Sequence, residues 1–276
     1  MMRIETVRRE GGGMPVRLSK KLPASADPNF MQSLARGLDV LGAFQHARPS
    51  LSVSEVASLA NISRAAARRC LHTLAVLGYA RANDGSYTLT PKTLSLGYAY
   101  LSASPVARVA QPLLEEVSTR LHESCSMTVL DGDEIVYVAR AATQRIISVG
   151  LSVGSRLPVY CTSMGRILLA YSPEADIDAY LQRVPLARRT PQTITEVALL
   201  RRELQQVRAA GYAVVDQELE LGLRSIAVPV RHSDGRAVAA INVGAQAARV
   251  DLVTMTQTYL PVLRVAAEQI ALAIAR

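Results

Sequence analysis

The stretch Asn61–Tyr79, NISRAAARRCLHTLAVLGY, constrains this chain more than any other. Ser63 can open a helix there, because its hydroxyl accepts from an amide that has no intrahelical partner. Gly78 can close it, because glycine enters the left-handed region without steric cost. At about 100° per residue, Arg64, Ala65, Arg68, Arg69 and His72 share an arc of about 140°. Ala66, Ala67, Cys70, Leu71, Leu74 and Leu77 lie opposite. One side is built to pack, and the other carries three arginines, a histidine and an alanine. An ordinary amphipathic helix with a solvated basic face fits this pattern. So does a helix inserted into a DNA major groove, where Arg grips guanine or phosphate and a small side chain permits close approach.

The flanking segments separate the two readings. Leu34, Leu38, Leu41 and Phe44 recur at helical spacing. Ser52 with Glu55 three residues on makes a capping-box pattern for a short second helix. Asn61-Ile62 then turns tightly into the basic helix. Beyond Gly78, Asn83-Asp84-Gly85 is a hairpin turn between two short strand-like runs. Helix-turn-helix followed by hairpin is a winged helix, expected over residues 29–90. Its candidate DNA contacts are Ser63, Arg64, Ala65, Arg68, Arg69 and His72. Residues 1–28, with Gly11-Gly12-Gly13, Pro15, Pro23 and Pro28, read as a flexible tail. Residues 91–104 read as a linker helix whose stripe of Leu94, Tyr98 and Leu101 suits a contact between subunits.

Charge placement agrees with a DNA partner. The formal net charge is +8, and residues 1–90 hold 12 of the 31 Lys+Arg but only 6 of the 23 Asp+Glu. A polyanion is therefore expected at the N-terminal part, ahead of a nearly neutral remainder.

That remainder, residues 105–276, alternates helix and strand patterns. Helices are expected over Val106–His122, Thr162–Tyr171, Pro173–Gln182, Val197–Ala210 and Asp251–Ala275. Strands are expected over Ser124–Leu130, Ile135–Arg140, Ile146–Val153, Tyr212–Gln217, Ser225–Arg231 and Ala237–Val243. Asp131-Gly132-Asp133 reads as a hairpin turn rather than a calcium loop, whose full ligand pattern is missing. The whole reads as an α+β sheet-and-helix sensor domain.

Cys70, Cys125 and Cys161 lie far apart and are odd in number, which argues for a reducing cytoplasm and against a disulfide framework. The scattered His46, His72, His122 and His232 give no metal-site spacing. No apolar run is long enough to span a bilayer. Ser163-Met164-Gly165-Arg166 lacks the context of a phosphate loop, and no nucleophile elbow is present. No cofactor, metal or catalytic residue is expected. What stands out is a set of polar residues on strands and helix starts: Arg140, Arg145, Ser163, Asp216, Arg224, Ser225 and Asn242. Polar groups among apolar strands are what a small-molecule pocket uses for orientation. A helix cap alone would also explain Ser163.

The order of features resembles the IclR-type transcriptional regulators over nearly all of residues 30–276. The carrying pieces are Ser33-Leu-Ala-Arg-Gly-Leu-Asp-Val-Leu41, the basic helix, Leu157-Pro-Val-Tyr-Cys-Thr-Ser-Met-Gly-Arg-Ile-Leu-Leu-Ala170 and Gly211-Tyr-Ala-Val-Val-Asp-Gln-Glu-Leu-Glu-Leu-Gly-Leu-Arg-Ser-Ile-Ala-Val-Pro-Val230. Tyr137-Val-Ala-Arg-Ala141 and Thr162-Ser-Met-Gly-Arg166 look most like the branch governing aromatic-acid catabolism through the β-ketoadipate pathway (PcaR/PobR type). The resemblance implies a GAF-like effector domain, double-stranded operator DNA as partner, and a homodimer or homotetramer. It places effector contacts at Ser163 and Met164, at Asp216 and Ser225, and at Asn242. Many members carry Cys at the position of Ser225, and hydroxyl residues occur at that of Asn242, so effector identity does not carry over.

The expected function is a ligand-responsive DNA-binding regulator. Its effector would be a small carboxylic acid, an aromatic acid or a β-ketoadipate pathway intermediate. Arg140 would grip the carboxylate, with Tyr160 and Met164 supplying apolar contact. Two other classes compete: an enzyme of aromatic-acid metabolism with an appended basic domain, and a sensor module acting through protein partners alone. The missing catalytic motifs weigh against the first, and the three arginines on one helix face against the second.

Overall fold

The computed structural model describes residues 27–44, 49–143 and 151–274. Residues 1–26 of the expected tail, His46, Arg145 and residues 146–150 of the strand expected over residues 146–153 lie outside the described residues.

The N-terminal part packs three helices, α1 (Gln32–Ala43), α2 (Val53–Leu59) and α3 (Arg64–Val76), against a small sheet. The sheet consists of β1 (Leu51–Ser52), β2 (Ala80–Asn83) and β3 (Ser86–Leu89) in the order β1-β3-β2. Its core is Val40, Ala43, Leu51, Val56, Ala57, Ala67 and Leu71. The capping box forms as read: Glu55 N donates to Ser52 Oγ at 3.3 Å, and Ser52 N donates to Glu55 Oε2 at 2.8 Å. Asn61 turns the chain at φ 50°, and Asp84 and Gly85 take φ 35° and 81° to close the hairpin. Such positive values at both central residues match the twist of flanking strands.

Pro91–Thr93 form one 3-10 turn before α4 (Leu94–Ala103), and α5 (Pro105–Leu121) follows at once. Leu94 and Tyr98 stay 74% and 71% exposed, whereas Leu101 packs on the larger core. Along α5 the buried stripe is Ala107, Ala110, Leu114 and Val117, with Leu113 and Leu121 at its edge. The sequence periodicity places Val109, Leu113, Val117 and Leu121 on one side of this helix, and of these only Val109 stays outside the core cluster.

The C-terminal part is a six-stranded antiparallel sheet with helices on both faces. Its strands are β4 (Ser124–Asp131), β5 (Glu134–Ala141), β6 (Arg156–Pro158), β7 (Ala213–Asp216), β8 (Leu223–Arg231) and β9 (Ala237–Gln246), ordered β6-β5-β4-β9-β8-β7. The short edge strand β6 carries no alternation of its own, and residues 151–153 are not strand. One face is covered by α5 and by the closing helix. That helix starts as α9 (Leu252–Thr254), passes a π-helical turn (Met255–Tyr259) and continues as α10 (Leu260–Ile274). The other face is covered by α6 (Ser163–Ala170), backed by α7 (Glu174–Arg183) and α8 (Val197–Ala210). Strand alternation sorts side chains between the two. Cys125, Met127, Ile226, Val228, Ile241 and Val243 point to the α5/α10 side, where they join an apolar core. Ala227 and Ala240 point to α6.

Candidate functional site

The candidate DNA-facing surface is set by α3. Ser63 caps it, accepting from Ala66 N at 3.2 Å. Ala67 and Leu71 anchor it in the core. Arg64, Ala65, Arg68, Arg69 and His72 are all exposed, so these five sequence-predicted residues share one face, with the sixth, Ser63, at its N-terminal end. Arg68, Arg69 and His72 line a groove of about 590 Å³ with Val53, Thr73, Gly85 and Tyr87, between α3 and the wing. The exposed Arg81 adds a cation on β2. Arg64 differs from its neighbours, since its guanidinium donates to Ser54 Oγ on α2 through Nε, at 3.0 Å, and through Nη2. Sequence reading passed over Ser54, whose partner stands ten residues away.

The second site lies on the α6 face of the large sheet. Arg140, Ser126 and Asn242 occupy one cross-strand row, because Ser126 pairs in register with Arg140 on one side and Asn242 on the other. Arg140 Nη1 donates to Ser126 Oγ at 3.0 Å. Across the row, Ser225 Oγ donates to Ser163 Oγ at 2.9 Å, tying β8 to the first residue of α6. The Thr128 hydroxyl contacts Met164 Sδ at 3.4 Å. Ser126, Thr128, Ser163, Met164 and Ser225 are buried, while Arg140 and Asn242 are half-buried. Two of these, Ser126 and Thr128, were missed in the sequence. The signal was present, since Ser124-Cys125-Ser126-Met127-Thr128 alternates polar and apolar residues on a strand buried on both sides.

Tyr160 and Asp216 do not join that row. Tyr160 is buried beside it, and its hydroxyl donates to Ala187 O at 2.8 Å. Asp216 faces the opposite side of the sheet. It receives Arg224 Nε and Nη2, each at 2.9 Å, and Arg224 in turn donates to Val250 O under the closing helix. The hydrogen bond from Arg224 holds the Asp216 carboxyl below the usual carboxylate range. The reason is parity: Asp216 pairs with Arg224 and Val215 with Ser225, so Asp216 and Ser225 belong to opposite faces.

Around this row the Thr162-Ser-Met-Gly-Arg166 run is explained residue by residue. Thr162 Oγ1 accepts from Gly165 N at 3.3 Å and donates to Pro158 O at 2.8 Å. A side chain at Gly165 would bring a Cβ within 2.3 Å of Val159 O. Arg166, 1% exposed, donates to Glu218 Oε2 at 2.6 Å, Glu203 Oε1 at 3.4 Å and Tyr160 O at 3.0 Å. Glu218 also accepts from Ile194 N at 3.0 Å, so the pair ties α6 to the segment before α8. Among the described residues no cluster of His, Cys, Asp and Glu could hold a metal, and no helix is long and apolar enough to cross a membrane.

A winged helix-turn-helix joined to a sheet-and-helix sensor fold defines a DNA-binding transcriptional regulator. Residues 33–84 match the IclR helix-turn-helix domain, and residues 98–272 match the bacterial transcriptional regulator IclR C-terminal family. The chain belongs to the IclR family of bacterial transcriptional regulators, and is a regulator rather than an enzyme. It is 50% identical over 254 residues to the Pca regulon regulatory protein of Pseudomonas putida, covering 91% of this chain and 87% of that protein. A solved transcriptional regulator from Rhodococcus sp. RHA1 shares 47% identity at a TM-score of 0.79, covering 89% of this chain and 99% of that one. An IclR homologue from Microbacterium hydrocarbonoxydans, solved in complex with 4-hydroxybenzoate, shares 29% identity at a TM-score of 0.74, covering 88% and 98%.

Proposed function

We propose that this regulator senses a small carboxylic acid, an aromatic acid or a β-ketoadipate pathway intermediate, and controls genes for aromatic-acid catabolism. Residues 29–90 read operator DNA, residues 91–104 link, and residues 105–276 bind the acid. The observation that carries the reading is the Arg140–Ser126–Asn242 row beside the Ser163–Ser225 pair. A guanidinium can clamp a carboxylate with two parallel bonds. The first turn of α6 adds amides and the positive end of a helix dipole. Met164 and the buried Tyr160 wall the site with apolar surface. Similarity to the Pca regulon regulatory protein supports the pathway, and the relative bound to 4-hydroxybenzoate supports an acid of this size.

The protein acts as a homodimer or homotetramer, because α1 and α4 expose Leu34, Leu38, Leu94 and Tyr98, and paired α3 helices would read paired half-sites. Calorimetry with 4-hydroxybenzoate, protocatechuate and β-ketoadipate is expected to show one saturable binder. Arg140→Ala should weaken that binder about 10- to 100-fold, the worth of a charged hydrogen-bonded contact, with the melting profile unchanged. Binding of a neutral or cationic compound in place of all three acids would overturn the reading.

A further inference from the structure

Arg64 is the first residue of α3, the end of a recognition helix that meets base edges. It is exposed, yet its guanidinium is not loose. Nε and Nη2 both donate to the hydroxyl of Ser54, which sits in the first turn of α2. Among the described residues, no acceptor meets the side chains of Arg68 or Arg69. One of three cations on the same face is therefore held and two are free to follow the DNA backbone.

The way it is held matters. A guanidinium has five N–H groups arranged on two usable edges. Ser54 occupies the side edge, made by Nε–H and the neighbouring Nη2 proton. The end edge, made by Nη1 and the outer Nη2 proton, stays open, and among the described residues nothing accepts from it. Two parallel donors on that edge match the adjacent O6 and N7 acceptors that guanine shows in the major groove, a pattern no other base presents there. A guanidinium locked before DNA arrives also loses less rotamer freedom on binding.

We infer that Ser54 is a positioning residue that aims the end edge of Arg64 at one guanine of each operator half-site. It sets specificity rather than affinity, and it does so without touching DNA. The inference rests on α3 being the reading helix.

The test begins with duplexes selected from a random pool by the full-length protein. Each guanine is then replaced in turn by 7-deazaguanine, which removes N7 and keeps base pairing. With the parent chain, one guanine per half-site is expected to lose about 3- to 12-fold in affinity, the share of one of the two bonds in a bidentate contact. That penalty should vanish in Arg64→Ala, shrink at least threefold in Ser54→Ala and return in Ser54→Thr, which restores the hydroxyl. Binding to random-sequence duplex should stay within twofold in Ser54→Ala. A full deazaguanine penalty in Ser54→Ala overturns the inference. So does equal weakening on all duplexes, or the absence of any sensitive guanine. If Arg64→Ala and Arg68→Ala both leave operator affinity unchanged, the reading role of α3 falls as well. Loss in Arg64→Ala with none in Ser54→Ala removes the buttress alone.

Discussion

α3 and α6 begin alike and end in opposite environments. Ser63 and Thr162 cap them with nearly the same geometry, 3.2 Å and 3.3 Å to the amide three residues on. Each carries arginine in or near its first turn. In α3 only Ala67 and Leu71 are buried, whereas in α6 every residue is. An exposed arginine keeps its hydration and stays available to a ligand. A buried one must find anions of its own, because an ion taken out of water costs several kcal/mol unless paired. Arg166 found Glu218 and Glu203. The same residue type is thus an exposed cation on the proposed reading face of one helix and a structural rivet in the other.

The largest effect should come from pulling the rivet. Arg166→Ala leaves Glu218 buried without its cation and is expected to cost about 3–5 kcal/mol in denaturant unfolding. A loss under about 1 kcal/mol would mean that water reaches the pair and that the two helices differ less than described. Gly165→Ala should follow, at about 1–3 kcal/mol or more, because its Cβ collides with the rigid Val159 backbone. Gly97→Ala in α4, where nothing lies within 4 Å, is the control and should be neutral or stabilising. On the α3 side, the pair Arg68→Ala and Arg69→Ala should leave stability within about 0.5 kcal/mol. Operator affinity should instead fall about 1–3 kcal/mol for a base contact, or the salt slope by about one for each phosphate contact. Gel shifts at two salt concentrations read the difference.

The smallest effect concerns the half-buried pair between these extremes. Asp216 has a carboxyl pKa lowered by Arg224, so it binds its proton less readily folded than unfolded. Its stabilisation is present above the ordinary carboxylate pKa of about 3.9 and is lost as pH falls through the lower folded value. Asp216→Asn should flatten that acid dependence by less than about 1 kcal/mol, since the carboxylate is 36% exposed and partly screened. Urea titrations between pH 2 and 5 would show it, and an unchanged acid limb would mean that the pair is screened completely.

Local chemistry was legible in the sequence. The Ser52/Glu55 box, the Ser63 cap, the Asp84-Gly85 turn and the exposed face of α3 all depend on residues within a few positions of one another, and each stands where the sequence put it. What depended on strand parity or distant partners was harder. Asp216 and Ser225 look like neighbours in one motif, yet a one-residue offset in register sends them to opposite faces. Arg166 meets Glu218 across 52 residues, and no spacing rule announces such a pair. Ser126 and Thr128 were readable from alternation but lay inside a run that scans as core. β6 is three residues long and owes its conformation to pairing with β5.

The division of the large sheet has a practical consequence. Apart from the Asp216–Arg224 pair, the α5/α10 face interlocks with an apolar layer, but Ser126, Thr128, Ser225 and Asn242 project the other way from the same strands. If the proposed acid site is right, those four positions can be diversified together as a palette for retuning ligand preference, because the backbone that presents them is clamped from behind. A biosensor library built on them would vary what the protein detects while the scaffold and its DNA-reading end stay constant.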